Sequence, residues 1–186
     1  MIYGVFGHPS RFWEKDFRLS DLGINAVFIS SGDIDQKTIE RIGAEGGQTF
    51  AEFPILNGDY DGYVANHPEA HPIYETGNPV ARATWFMGVC PTDSAFRTHK
   101  MCALRSFLAE YNVNGVWMDY LHWHAQFEDP YPQFYKTCFC ESCIESFQIA
   151  TDVAVSGETI AEKAECIFMQ ARCEWEDWRV SVLVDW

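Results

Sequence analysis

The stretch "CPTDSAFRTHKMCALRSFLAEYNVNGVWMDY" (residues 90–120) decides the fold, because it reads as a helix followed at once by a strand. Thr92 or Asp93 can cap the helix, and Met101, Leu104, Phe107, Leu108 and Tyr111 recur at three- and four-residue steps. Asn114-Gly115 then introduces "VWMD", apolar until its closing carboxylate, which predicts a buried strand. Working outward, the same alternation repeats. "IYGVFG" (2–7), "NAVFIS" (25–30), "QTFAEFPI" (48–55) and "ATWFMGVC" (83–90) read as strands or extended runs. Between them lie "RFWEKDFRLSDLG", with helical potential, and "DIDQKTIERIGAEGG", a short helix capped by Asp33 or Asp35 and stopped by Gly46-Gly47. Residues 56–82, with Asn-Gly, Asp-Gly and three prolines, predict a long loop, and helices are expected near 141–150 and 158–185.

Apolar strands alternating with helices call for a parallel sheet covered on both faces. A Rossmann-type glycine fingerprint, a P-loop and a Gly-x-Ser-x-Gly elbow are all missing. A parallel (β/α) barrel fits better. Polar residues (His8, Ser30, Ser31, Asp119, His122 and His124) gather at strand ends, where barrel active sites lie. A full barrel takes roughly 250 residues. The 186 residues here are therefore expected to form one domain, an incomplete or half barrel of four to five strands. A missing C-terminal half, or a second copy in a homo-oligomer, is expected to complete it.

With 47% hydrophobic and 16% aromatic residues the chain is globular. Its net charge of −14 argues against nucleic acid or an anionic membrane surface as partner, because both need a basic patch. No run is long enough to span a bilayer and no secretory signal precedes the first strand, so a cytoplasmic location is the expectation.

"TCFCESC" (Thr137–Cys143) places three thiols within six residues. Disulfides would close very small rings, seven cysteines is an odd count, and such frameworks belong to small secreted domains. A redox Cys-x-x-Cys at Cys140 and Cys143 lacks its preceding strand and leaves Cys138 unexplained. Buried cysteines acting as small hydrophobes fit poorly in a polar loop. Thiolates spaced this way at a turn into a helix can converge on one tetrahedral zinc. Cys90, ending its strand before Pro91, is the expected fourth ligand of a structural site, with Cys102 in reserve.

These residues carry a resemblance. Residues 90–120, followed by "CFCESCIESF" (Cys138–Phe147), resemble the zinc-carrying trimeric microbial β-galactosidases and the wider set of glycoside-hydrolase-like barrel proteins. In those, Cys-Pro after a strand, a helix, a strand ending in carboxylates and then Cys-x-Cys-x-x-Cys-x-x-x-Phe occur in this order. The resemblance covers roughly Trp85 to Phe147 and implies zinc ligands at Cys90, Cys138, Cys140 and Cys143. It also implies an acid/base glutamate after an asparagine at the strand end, where this chain has "MDYLHWH". Many proteins of the broader set end this strand in a single aspartate, which makes Asp119 the first catalytic candidate. A loop-anchoring role is its alternative. The family's nucleophile comes from a late strand that this chain lacks.

Glycoside hydrolysis needs a second carboxyl group, about 5–5.5 Å away for retention or about 6.5–9.5 Å for inversion. Glu52, aimed inward if alternation runs from Phe50, is the leading candidate, with Glu128 or Asp129 as others. His122, Trp123, His124, Gln126 and Phe127 follow Asp119 directly, and stacking aromatics beside donors and acceptors suit a sugar ring. His8, and Tyr60, Tyr63, His67 and His71 in the long loop, are expected to add to that cleft. A second metal on the His122–His124 pair is a weaker reading, because no carboxylate-rich ligand set accompanies it. The expected ligand is a carbohydrate, hydrolysed or bound. The alternatives are a non-catalytic zinc-stapled glycan-binding or assembly module, and a thiol redox or zinc-sensing protein.

Overall fold

A computed structural model of the chain describes residues 1–58, 62–83, 86–127 and 130–186. In chain order the elements are β1 (Gly4–Phe6), α1 (Ser10–Trp13), β2 (Ala26–Ser30), α2 (Gln36–Ala44), β3 (Gln48–Pro54) and α3 (Tyr63–Asn66). They continue with α4 (Ser94–Glu110), β4 (Gly115–Asp119), β5 (Ala125–Gln126), β6 (Gln133–Phe134), α5 (Glu141–Thr151), α6 (Ile160–Gln170) and α7 (Arg172–Val184). They fall into two compact units: residues 1–55 with 100–119, and residues 56–99 with 120–186.

The first unit is a four-stranded parallel sheet in the order β1-β2-β3-β4 with its helices. Its register aligns Phe6 with Phe28, Phe28 with Phe50 and Phe50 with Gly115. One sheet face is therefore an aromatic ladder, because in-register strands put like positions side by side. Phe6 and Phe28 stack at 4.9 Å, as do Phe28 and Phe50, and Trp117 meets both Phe6 and Phe28 edge-on at 5.7 Å. Gly115 is required by this face, since a Cβ there would sit 2.9 Å from the Phe50 ring. Rings of the first and fourth strands touch although three strand spacings, roughly 14 Å in a flat sheet, separate their backbones. The sheet curls toward this face. Phe6 is 65% exposed and Trp117 46%.

The opposite face is the unit's core. Val27, Ile29 and Ala51 project from it onto Leu19, Ile34 and Ile42, all buried, with Phe107, Tyr111 and Val113 packed alongside. Asp35 caps α2 by accepting the Thr38 amide at 2.7 Å, and Gly46 ends the turn in left-handed backbone.

The second unit is built on α5, α6 and α7 around a core of Phe139, Phe147, Ile144, Ile167, Trp175 and Trp178. The apolar run foreseen near the chain's end does pack inward, but as two helices. Ala171, at φ −145°, breaks the expected single helix between α6 and α7.

Several further expectations are corrected. The described residues of the 83–90 run do not join the parallel sheet, which has four strands among the described residues. Ala83 and Phe86, and Gly88 and Asn57, make isolated antiparallel bridges. The 56–82 loop contains α3 and a one-turn 3-10 helix at Pro68–Ala70. The strand β4 is half-exposed because it is the sheet's edge, and Leu108 and Cys102 point outward while Phe107 takes the inner face of α4. No described helix is long and apolar enough to cross a membrane.

Ile42 is fully buried beneath the sheet, so Ile42→Ala is expected to lower unfolding stability by about 2–5 kcal/mol in urea denaturation.

Candidate functional site

Four sulfur atoms meet in the second unit. The Sγ atoms of Cys90, Cys138, Cys140 and Cys143 all lie within 4.8 Å of one another. Cys90 is 3.6 Å from Cys140 and 3.5 Å from Cys143. Each ligand has a local reason to be there. Cys140 occupies the N-cap of α5 and accepts the Cys143 amide, so the Cys-x-x-Cys spacing places both sulfurs at the positive end of the helix. Cys138 lies in the segment that hydrogen-bonds to Ile73 through Phe139. Cys90 begins the turn into α4, its carbonyl accepting the Asp93 amide, and Asp93 in turn accepts the Phe96 amide at 2.7 Å.

The donor set fits a tetrahedral metal. Bonds of about 2.3 Å to zinc place tetrahedral sulfurs about 3.8 Å apart, close to the spacings seen. Three of the four sulfurs can have a hydrogen-bond donor from outside the cysteine side chains at once. The Ile73 amide reaches Cys138 at 3.3 Å and the Cys143 amide reaches Cys140 at 3.4 Å. The Thr92 hydroxyl lies 3.2 Å from both Cys90 and Cys143 and can donate its one hydrogen to either. Hydrogen bonds from Cys138, Cys143 and Cys90 hold the Cys140 thiol far below its ordinary range, while Cys138 and Cys143 are pushed upward. All seven cysteines are free. Cys102, the reserve ligand, lies outside the cluster and is exposed.

A pair of carboxyl groups meets in the first unit. β3 pairs with β4 so that Pro54 lies opposite Asp119 and Glu52 opposite Trp117, placing both carboxylates on the aromatic face at the strands' C-terminal ends. The Glu52 carboxyl is within hydrogen-bonding reach of the Asp119 side chain and of the Ser30 hydroxyl. Glu52 is held above the usual carboxylate range, first by burial, then by the nearby charge of Asp119, with Asp33 adding to it. Tyr120, next in the chain, adopts left-handed backbone at φ 54°. His8 is in the same unit, its Nε2 3.1 Å from the Thr38 hydroxyl and its Nδ1 accepting the Ser10 amide.

The residues that follow Asp119 belong to the second unit and are less wet than their polarity suggests. Trp123, His124 and Gln126 are buried, and only His122 and Phe127 approach the surface. All of these but Gln126 line a cleft of about 580 Å³, together with Phe134, Tyr135, Lys136 and Thr137 and with Arg172, Glu176 and Arg179 of α7. The β5–β6 hairpin carries much of this wall, with Phe127 and Phe134 edge-to-face at 5.5 Å. His124 Nδ1 accepts the Gly88 amide at 3.1 Å, and a Cβ on Gly88 would strike that nitrogen at 2.9 Å. Burial, and then the neighbouring His122, bring the His124 pKa down to about 4, so the ring is neutral at pH 7 with its proton on Nε2. Tyr63 stacks on His67 at 4.0 Å, and His67 pairs with Glu69, away from these cleft-lining residues. His71, also in that loop, is not among the cleft-lining residues either. No described histidine joins a second metal cluster. Tyr60, Trp85, Glu128 and Asp129 lie outside the described residues. The residues that sequence reasoning missed are Lys136, Arg172 and Arg179, whose only signal was three cations in an acidic chain.

The sequence matches no protein-family model and no curated protein. Among solved structures the chain is similar to the polyextremophilic β-galactosidase from the Antarctic haloarchaeon Halorubrum lacusprofundi, with a TM-score of 0.60, 19% identity and 87% of this chain covered. The match spans 29% of that enzyme's length. The noncanonic maltogenic α-amylase AmyB from Thermotoga neapolitana is a looser likeness, with a TM-score of 0.44, 15% identity, and coverage of 80% of this chain and 42% of that one. The chain thus has a glycoside-hydrolase-like α/β fold.

Two outcomes follow from these geometries. With a divalent metal bound, the cluster's four thiols should resist a thiol reagent that labels the exposed Cys102 and Cys173, and chelation should release them. Because folding raises the Glu52 pKa above its ordinary 4.5, its contribution to stability is fully present below that value and is lost as pH rises through the raised one. Glu52→Gln should therefore raise the melting temperature relative to the parent more at pH 7 than at pH 4.

Proposed function

We propose that this chain is part of a carbohydrate-active (β/α) barrel of the glycoside hydrolase type, with Asp119 as its catalytic carboxylate. The observation that carries this reading is the placement of Glu52 and Asp119 on one face at the C-terminal ends of neighbouring parallel strands, the end at which such barrels place their chemistry. Burial and the neighbouring charge of Asp119 hold the Glu52 carboxyl above the usual carboxylate range, the direction that suits acid–base work. Asp119 takes the reacting role and Glu52 supports it. A second hydrolytic carboxyl, at the larger separation that a glycosidic bond requires, comes from outside this pair.

The cleft of the second unit supplies sugar contacts through His122, Phe127 and the buried Trp123 and His124, with Gln126 buried behind them. Within the first unit, His8 is assigned as a further sugar contact. Zinc is the metal of the four-cysteine site, because an all-thiolate tetrahedral set suits it, and with no open coordination position its role is structural. When bound, the ion would tie Cys90 and Cys138 to the start of α5. The exposed aromatic face of the sheet, with Phe6 and Trp117, is taken up by further barrel strands, from a longer chain or a second copy.

One observation favours a second reading, a zinc-stapled module that binds a glycan or assembles without hydrolysing it: the second unit carries an aromatic-walled cleft of about 580 Å³ of its own. A thiol redox or zinc-sensing role has less support, since three of the four clustered thiols are buried.

Nitrophenyl glycoside hydrolysis separates the first two readings. Asp119→Asn should lower turnover by about a hundredfold or more, the scale of general acid–base catalysis, with the fold and about one zinc per chain retained. Parent protein with no activity, but with sugar binding intact, would establish the binding module instead.

A further inference from the structure

The cleft in the second unit is cationic although the chain is strongly acidic. Lys136, Arg172 and Arg179 line it, against one carboxylate, Glu176, which is 2.9 Å from Arg172 Nε and so already engaged. The other two cations rest on rings. Lys136 Nζ lies 4.9 Å from the centre of Phe168, and the Arg179 guanidinium 4.6 Å from that of Trp123. The thiols of Cys143 and Cys138 attract Arg179 from a distance, as does Glu176, but none of them accepts a hydrogen bond from it among the described residues.

Lys136 and the Arg179 guanidinium, beside the aromatic wall, are what a hydroxyl-rich ligand with one anionic group would engage. The volume of about 580 Å³ is in the range of small-molecule sites.

We propose that this cleft binds a carboxylated sugar, a uronate residue, with its carboxylate on Arg179 and Lys136 and its ring against Phe127 and Phe134. The proposal rests on the glycan reading above and narrows it to acidic sugars. A guanidinium forks onto a carboxylate through two parallel N–H donors, and Lys136 adds a point charge at the exposed rim.

The test titrates the zinc-loaded full chain with digalacturonate and with its neutral methyl ester, following the fluorescence of Trp123 and Trp175 in the cleft wall. The acid should bind about tenfold or more tightly than the ester at low salt, as one charge-assisted hydrogen bond predicts. Arg179→Gln and Lys136→Gln should each bring the acid toward the ester's affinity while leaving the ester's affinity unchanged. Should Arg179→Gln lose its metal or its fold, the exposed Lys136 variant decides. Equal affinity for acid and ester, or a preference surviving both substitutions, overturns the proposal and leaves a neutral-glycan site standing. If the parent binds neither compound, nor any neutral disaccharide, at millimolar concentration, the glycan reading falls with it.

Discussion

Cys90 and Cys140 are 50 residues apart in the chain, yet their sulfurs lie 3.6 Å apart. Holding four thiols in mutual contact beneath a protein surface is costly unless their charge is taken up, and a tetrahedral cation is the common way to do so. The second unit is arranged around that constraint. The loop ending at Cys90, the segment carrying Cys138 and the first turn of α5 converge on the sulfurs, and the aromatic core of Phe139, Phe147, Trp175 and Trp178 packs around them. With a core spread over short helices and irregular chain, a bound metal would supply cross-linking that secondary structure does not.

The first unit obeys a different rule. Parallel pairing in register sets Phe6, Phe28 and Phe50 side by side on one sheet face and packs Val27, Ile29 and Ala51 against helices on the other. The same period of two that builds the aromatic ladder carries Glu52 and Asp119 onto that face at the strand ends. Burial, and then the nearby charge of Asp119, hold the Glu52 carboxyl above the usual carboxylate range. The chemistry proposed for this pair is a consequence of register. A one-residue slip of β4 would turn Asp119 to the opposite face.

The cleft of the second unit shows how buried polarity and aromatic walls combine. Its histidine is kept neutral by burial, and Gly88 leaves room for the ring because any side chain there would collide with it. Cations that stack on Trp123 and Phe168 keep their donors available, since a ring face satisfies the charge without occupying the N–H groups.

Periodicity and spacing carried most of the alternation of helix and strand, a pair of candidate caps before each of α2 and α4, of which Asp35 and Asp93 take the role, and the cluster of Cys138, Cys140 and Cys143, with Cys90 as its expected fourth member. These are local properties: capping, helical period and ligand spacing act over a few residues, and the sequence displays them directly. Tertiary structure alone decided that the described residues of the 83–90 run leave the sheet, that β4 is an edge, and that Trp123, His124 and Gln126 are buried. It also decided that Glu52 touches Asp119 and that Arg172 and Arg179 on α7 face the same cleft as Lys136. Each of these depends on which distant segments pack together. An apolar run reads the same whether it pairs in a sheet or folds back on itself, and a cation shows no partner until the chain closes around it.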